Sequence, residues 1–131
     1  MNPKDLLYAE THEWVRVADE GGRKVATVGI TDFAIQQLTD LVHMVLPKVG
    51  KQVKAGEEFG EVESVKAVSS LYSPVTGEIV AVNSDLPSRL ESLGTDAYVG
   101  GWMIKVALND ESSLKAMMDA AAYEKQCAAE G

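Results

Sequence analysis

From Val42 to Asn83 the chain alternates short apolar runs with turn residues. Val49-Gly50, Ala55-Gly56 and Pro74-Val75-Thr76-Gly77 interrupt it before any run reaches the length of an ordinary helix. Parallel strands need a crossover of about a dozen residues or more, usually a helix. No such crossover fits between these runs, so neighbouring strands must pair antiparallel. The pattern predicts a mainly β protein, a sandwich or barrel of short strands, and excludes βαβ units.

The flanks agree with this reading. His12 to Val17 and Lys24 to Ile30 read as two strands joined by a turn at Asp19-Glu20-Gly21-Gly22. Thr31 or Asp32 offers a capping oxygen to a short helix carrying Phe33, Gln36, Gln37, Leu38 and Leu41. A strand follows from Val42 to Leu46, where Pro47 ends it. Asp85 to Leu93 is expected to be a short helix stopped by Gly94, and Trp102 to Leu108 a strong strand. A C-terminal helix is expected over about 110–127, with Leu114, Met117, Met118, Ala121 and Ala122 forming one apolar core stripe. The 131 residues, 46% hydrophobic and 24% charged, suit a single domain over 1–131 with a modest core.

Charge and cysteine content narrow the function. Twenty acidic residues face 12 basic ones, a net charge of −8, with no basic block for phosphate contacts. Nucleic acid is therefore not an expected partner. One cysteine, Cys127, precludes an internal disulfide, and with two histidines, His12 and His43, offers little for a dedicated metal site. No apolar run approaches membrane-spanning length, and Met1-Asn2-Pro3-Lys4-Asp5 lacks the basic start and apolar core of a signal peptide. The expected location is a bacterial cytoplasm, or a mitochondrial matrix if the chain is a mature form. No Gly-rich phosphate loop and no nucleophile–base pair is evident.

One lysine stands apart. Lys66 sits at the centre of Glu63-Ser64-Val65-Lys66-Ala67-Val68, between valines and an alanine, with Lys54-Ala55-Gly56-Glu57 before and Ser73-Pro74-Val75-Thr76-Gly77 after. A weak internal echo, Val49 to Gly56 against Val75 to Val82, flanks this segment and suits two similar halves joined by a hairpin. Lys66 would be its tip. Val65-Lys66-Ala67 lacks the glycine of a primed turn, so periodicity allows the hairpin without demanding it. A lysine on such a tip reads as an attachment point for a covalent arm.

Five blocks carry a resemblance. Thr11-His12-Glu13-Trp14-Val15, Val25 to Asp32, Gly60 to Ser69 (with Glu63-Ser64-Val65-Lys66-Ala67), Tyr72 to Ile79 and Gly101-Trp102-Met103-Ile104-Lys105 stand in the order of the glycine cleavage H-protein family. The chain resembles that family nearly end to end. The resemblance implies a lipoyl- or biotinyl-carrier-like sandwich of two small antiparallel sheets (a barrel-sandwich hybrid). It also implies a lipoyl hairpin over about 59–72 and a C-terminal helix. The implied role is a monomeric, non-catalytic carrier with lipoic acid amide-linked to Lys66. Its arm would take an aminomethyl group from a pyridoxal-phosphate glycine decarboxylase to an aminomethyltransferase using tetrahydrofolate. Dihydrolipoyl dehydrogenase would reoxidise it, and a lipoylating enzyme would install it.

The resemblance also implies roles for other residues. Glu13 matches the glutamate implicated in holding the amine of the loaded arm, and a carboxylate in a partly dry cleft suits that task. Glu63 and Ser64, just before the lysine, are expected to be read by the lipoylating enzyme. His12 reads as a structural or surface residue, His43 as outward-facing, and Trp14 and Trp102 as core. Gly29, Gly60, Gly77 and Gly101 read as positions where a side chain would not fit. The chain departs from the family at Ser70, where many members have aspartate, at Gln37, where some have histidine, and across Leu86 to Gly100. Two further readings are open: an H-like lipoyl relay for another pathway, and an unmodified interaction module.

Overall fold

A computed structural model describes residues 6–38, 40–94, 96–98 and 100–130. Among the described residues, nine strands run in the order β1 (Leu7–Tyr8), β2 (Glu13–Glu20), β3 (Arg23–Ile30), β4 (Leu41–Val45), β5 (Gln52–Val53), β6 (Glu58–Ser64), β7 (Val68–Tyr72), β8 (Thr76–Val82) and β9 (Ile104–Asp110). The helices are α1 (Asp32–Leu38), α2 (Ser112–Lys115) and α3 (Ala120–Glu130). One sheet has six strands in the order β1-β2-β3-β9-β8-β5, the other three in the order β4-β6-β7, and every pairing is antiparallel. The fold is mainly β, two antiparallel sheets with few short helices, as expected.

Local chemistry accounts for the elements. Gly21 and Gly22 have φ of 63° and 85°, the left-handed pair that a tight primed turn requires, and they join β2 to β3. Thr31 Oγ1 accepts the Ala34 N–H at 3.2 Å and so caps α1. All of Val25 to Ile30 is buried, because β3 is covered on both faces. On one face the Trp14 indole lies against Gly29, where an added Cβ would stand 2.7 Å from the ring. On the other, Val28, Ile30, Val62, Ile79, Ile104 and Val106 belong to the main core. A Cβ at Gly77 would strike the Ala107 carbonyl, which explains glycine at the β8–β9 approach.

The C-terminal segment differs from the single helix expected. Met118 exchanges both backbone hydrogen bonds with Tyr8, each 2.8 Å, and a residue paired in that way cannot continue a helix. The chain therefore stops α2, bridges to β1, and restarts at α3, where Asp119 Oδ1 accepts the Ala122 N–H at 2.9 Å. The predicted apolar stripe is divided. Leu114 and Met117 pack on the main core and Met118 on a second cluster, while Ala121 and Ala122 are exposed. Tyr123, which the stripe omitted, is the buried residue of α3 and stacks on Tyr8 with centroids 4.6 Å apart. Leu6, Tyr8, Trp14 and Tyr123 form that second cluster, which fastens α3 beside the start of β2. The helix expected between Asp85 and Leu93 is two short 3-10 segments, Leu86–Ser88 and Leu90–Gly94. Among the described residues no helix is long and apolar enough to cross a membrane.

Candidate functional site

β6 and β7 form a hairpin whose tip is Val65-Lys66. The Ser64 N–H donates to the Ala67 carbonyl at 2.8 Å, closing a two-residue loop. Side-chain chemistry supplies what the missing glycine would have. Ser64 Oγ accepts the Lys66 N–H at 3.3 Å and the Ala67 N–H at 3.1 Å, an ST-type turn built on one hydroxyl. The Val65 N–H donates to the Asp40 carbonyl at 3.0 Å, so the tip is also tied to the chain entering β4. Lys66 itself is exposed and makes no ion pair among the described residues.

The neighbours of Lys66 divide by position. Glu63 is exposed and lies opposite Val68 on one side and His43 on the other, all on the solvent face of the three-stranded sheet. Ser64 is buried, with its hydroxyl spent on the turn. It builds the tip, whereas Glu63 is free to meet another molecule. The large apolar side chains left exposed among the described residues are Val42, Val45, Val49, Val65, Val68 and Tyr72. All but Val49 lie on β4, on β7 or at the hairpin tip. Val65 at 66% and Val68 at 60% flank the lysine directly, an arrangement that isolated surface valines do not explain.

On the other side of β7 a cleft of about 440 Å³ opens between the hairpin, α1 and the end of α3. Ile30, Ala34, Leu38, Val62 and Leu71 give it an apolar floor. Glu13 lies at its polar end and is 1% exposed. The Thr11 hydroxyl donates to Glu13 Oε1, and the Tyr72 N–H donates to Oε2 at 3.2 Å. These two bonds favour the carboxylate, but loss of water outweighs them, and burial pushes the Glu13 pKa up to about 7. The side chain is poised between neutral and charged near neutral pH. Gln37 and Ser70, two of the positions where the chain departs from the family pattern, both line this same cleft.

Several participants were not legible as such in the sequence. His12 has φ of 76°, a left-handed conformation at a non-glycine residue, just before Glu13 enters β2. Its carbonyl accepts the Thr31 N–H at 3.0 Å. Its ring contacts the Tyr123 hydroxyl at 2.7 Å through Nδ1 and Glu130 at 3.1 Å through Nε2. Tyr123 in turn meets Thr31 Oγ1 at 2.6 Å. The structural role expected of His12 is thus a hydrogen-bonded one at the wall of the cleft. His43 is exposed and Trp14 fully buried, while Trp102 is half-buried with the Lys105 ammonium 5.6 Å above its ring.

Known proteins resemble this chain over most of their length. The family model described as glycine cleavage H-protein matches residues 6–130. A glycine cleavage system H protein of Rhodopirellula baltica is 58% identical over 130 residues, covering 99% of this chain and 98% of its own. One from Marinobacter nauticus is 52% identical over 128 residues, covering 98% and 96%. The crystal structure of a glycine cleavage system H protein from Mycobacterium marinum superposes with a TM-score of 0.81 at 38% identity, over 95% of this chain and 98% of that one. With the family model spanning nearly every residue and relatives above half identity along the whole chain, the protein belongs to the glycine cleavage H-protein family.

Proposed function

We propose that this protein is a lipoyl carrier of glycine cleavage, with lipoic acid amide-linked to Lys66. When bound, that group would supply a dithiolane able to accept an aminomethyl unit at glycine decarboxylase, yield it to a tetrahydrofolate-dependent aminomethyltransferase, and be reoxidised by dihydrolipoyl dehydrogenase. The observation that carries the reading is the pairing of an exposed lysine, without an ion pair among the described residues, on a pinned tip with an adjacent cleft that is apolar below and acidic at one end.

The chain's own residues fit that group. Lys66 presents a nucleophilic amine on a long stem, and amide formation removes its charge, so an acyl chain can lie against protein without an ammonium to solvate. The Ser64 turn and the Val65–Asp40 bond fix where the stem begins. Ser69 and Ser70, which line the cleft, lie three and four residues beyond Lys66, roughly 10–13 Å along a strand. An arm laid back along β7 would have the apolar lining and Glu13 to hold it. A cation there would be held by the carboxylate and would itself draw the Glu13 pKa down. Glu63, with Val65 and Val68, is the surface we assign to the lipoylating enzyme. That enzyme must approach the lysine itself, whereas enzymes working on the far end of the arm need not. Tethering keeps the cargo at high local concentration for each partner. The protein performs no chemistry of its own in this account, and the bacterial relatives support a cytoplasmic site of action.

Exchange of the glycine carboxyl with labelled bicarbonate, catalysed by purified glycine decarboxylase, tests the reading. We expect exchange to rise in proportion to added lipoylated protein. Background exchange at saturating lipoylated protein would reject it and favour a lipoyl relay serving other enzymes.

A further inference from the structure

A further cavity, of about 670 Å³, lies between the turn from β1 to β2, the loops at Ala55-Gly56 and Ser73-Pro74, and α2 with the residues that follow it. It shares only Thr11 and Tyr72 with the cleft beside the hairpin. Ala9, Ala55, Pro74, Ala116, Met117 and Met118 give it apolar walls. The frame behind them is fixed. The Gly56 N–H donates to the Ser73 carbonyl at 2.7 Å, and the Met118 backbone is bridged to Tyr8. Methionine side chains on such a frame adapt to the shape of what they hold. The volume is that of a small-molecule site, in which apolar walls carry the area and a few polar groups set orientation.

Those polar groups narrow the ligand. The Thr11 hydroxyl is spent on Glu13, and Ser73 Oγ donates to the Val75 carbonyl at 2.6 Å and accepts the Val75 N–H at 3.3 Å. Ser113 differs. It lines the cavity, and its Oγ is buried without a hydrogen-bond partner among the described residues. A hydroxyl left in that state costs stability that a partner restores. It turns between staggered χ1 wells, and it both donates and accepts. Among the described residues no Lys, Arg or His lines the cavity, so a carboxylate there would lose water without gaining a counter-charge. Glu10 does line it but is exposed, where an ion pair with a cation is worth little. The chemistry left is neutral.

We propose that this cavity binds a small neutral amphiphile, a primary carboxamide on a short apolar chain, with the amide at Ser113 and the chain against the methionines. The proposal goes beyond the carrier reading and does not depend on it. The full-length unlipoylated protein is titrated with hexanamide, and separately with hexanoate, at pH 8 and constant ionic strength, following amide resonances by two-dimensional NMR. We expect saturable shifts at Gly56 and Met118 with hexanamide and a Kd of about 1 mM, as suits a ligand of so few atoms. Hexanoate, with the same chain and a charged head, should bind roughly tenfold more weakly. Ser113→Ala should weaken hexanamide about fivefold, the worth of one net hydrogen bond. It should also raise the melting temperature of the free protein by about 3 °C, because the unpaired hydroxyl is gone. No saturable shift at Gly56 and Met118, hexanoate binding as tightly as hexanamide, or equal binding by Ser113→Ala would each overturn the proposal. So would a lower melting temperature in the variant, since the hydroxyl would then have had a partner in the free protein. A bare Lys66 in native protein would sink the carrier reading while leaving this titration as it stands.

Discussion

Lys66→Arg is expected to abolish lipoylation and carriage completely while moving the melting temperature by no more than about 3 °C. The replacement keeps a positive charge on an exposed tip residue that has no ion pair to lose among the described residues. Surface changes of this kind stay within about 0.5 kcal/mol, a few degrees at most for a chain of this size. The turn is made by the Lys66 backbone and the Ser64 hydroxyl, and neither is altered. Function fails for a chemical reason. An arginine stays protonated at every accessible pH, so it offers no nucleophile for amide formation. Incubation with a lipoylating enzyme and lipoate, read by intact mass, with a thermal melt alongside, checks both halves. Retained modification would mean that another amine carries the arm.

Glu13→Gln is expected to flatten a pH dependence that the parent carries. Burial raises the Glu13 pKa from 4.5 to about 7, so between those values the folded state binds more protons than the unfolded state. Stability must then fall as pH rises through that window. The contribution is full below pH 4.5 and lost above pH 7. A shift of that size corresponds to roughly 3 kcal/mol. Glutamine cannot ionise, so the loss disappears. Its carbonyl can replace only one of the two acceptors used by Thr11 and Tyr72, and the amide left against the other donor gives back about 1–2 kcal/mol. The variant should gain on the parent as pH rises and be the more stable of the two at pH 8. Many other acids titrate in this range, so the quantity to follow is variant minus parent, by urea unfolding at pH 4.5, 6 and 8. Parallel stability curves would show that Glu13 does not titrate as its burial dictates. The same variant should shorten the lifetime of the amine-bearing arm, because a neutral amide cannot hold a cation. On this account the parent keeps a carboxylate that weakens its own fold because the cargo needs the charge.

The sequence made some of this molecule legible and not the rest, for identifiable reasons. Short apolar runs and Gly or Pro turns marked β2, β3, β4, β8 and β9 because each has strong local punctuation. The Lys66 hairpin lacked a turn signature because its turn is made by a serine side chain reaching two backbone donors, an effect invisible to residue statistics. The single C-terminal helix failed at Met118 because a long-range backbone bridge to Tyr8 outcompeted a good helical pattern. Glu13 was reached through its block and not through its environment. Its burial, and the company of Gln37, Ser70 and Glu130, depend on contacts between distant segments. Tyr123 is the case where a cue existed. A lone aromatic in the otherwise small and polar Ala-Ala-Ala-Tyr-Glu-Lys-Gln stretch marks the face that must be buried.

The central claim is that Lys66 carries the arm. Protein purified from its native, lipoate-replete host should be measured by intact mass and then by peptide fragmentation. The account predicts one lipoyl group on the peptide containing Lys66 and none on Lys48, Lys51 or Lys54. An unmodified Lys66 in that material would contradict it.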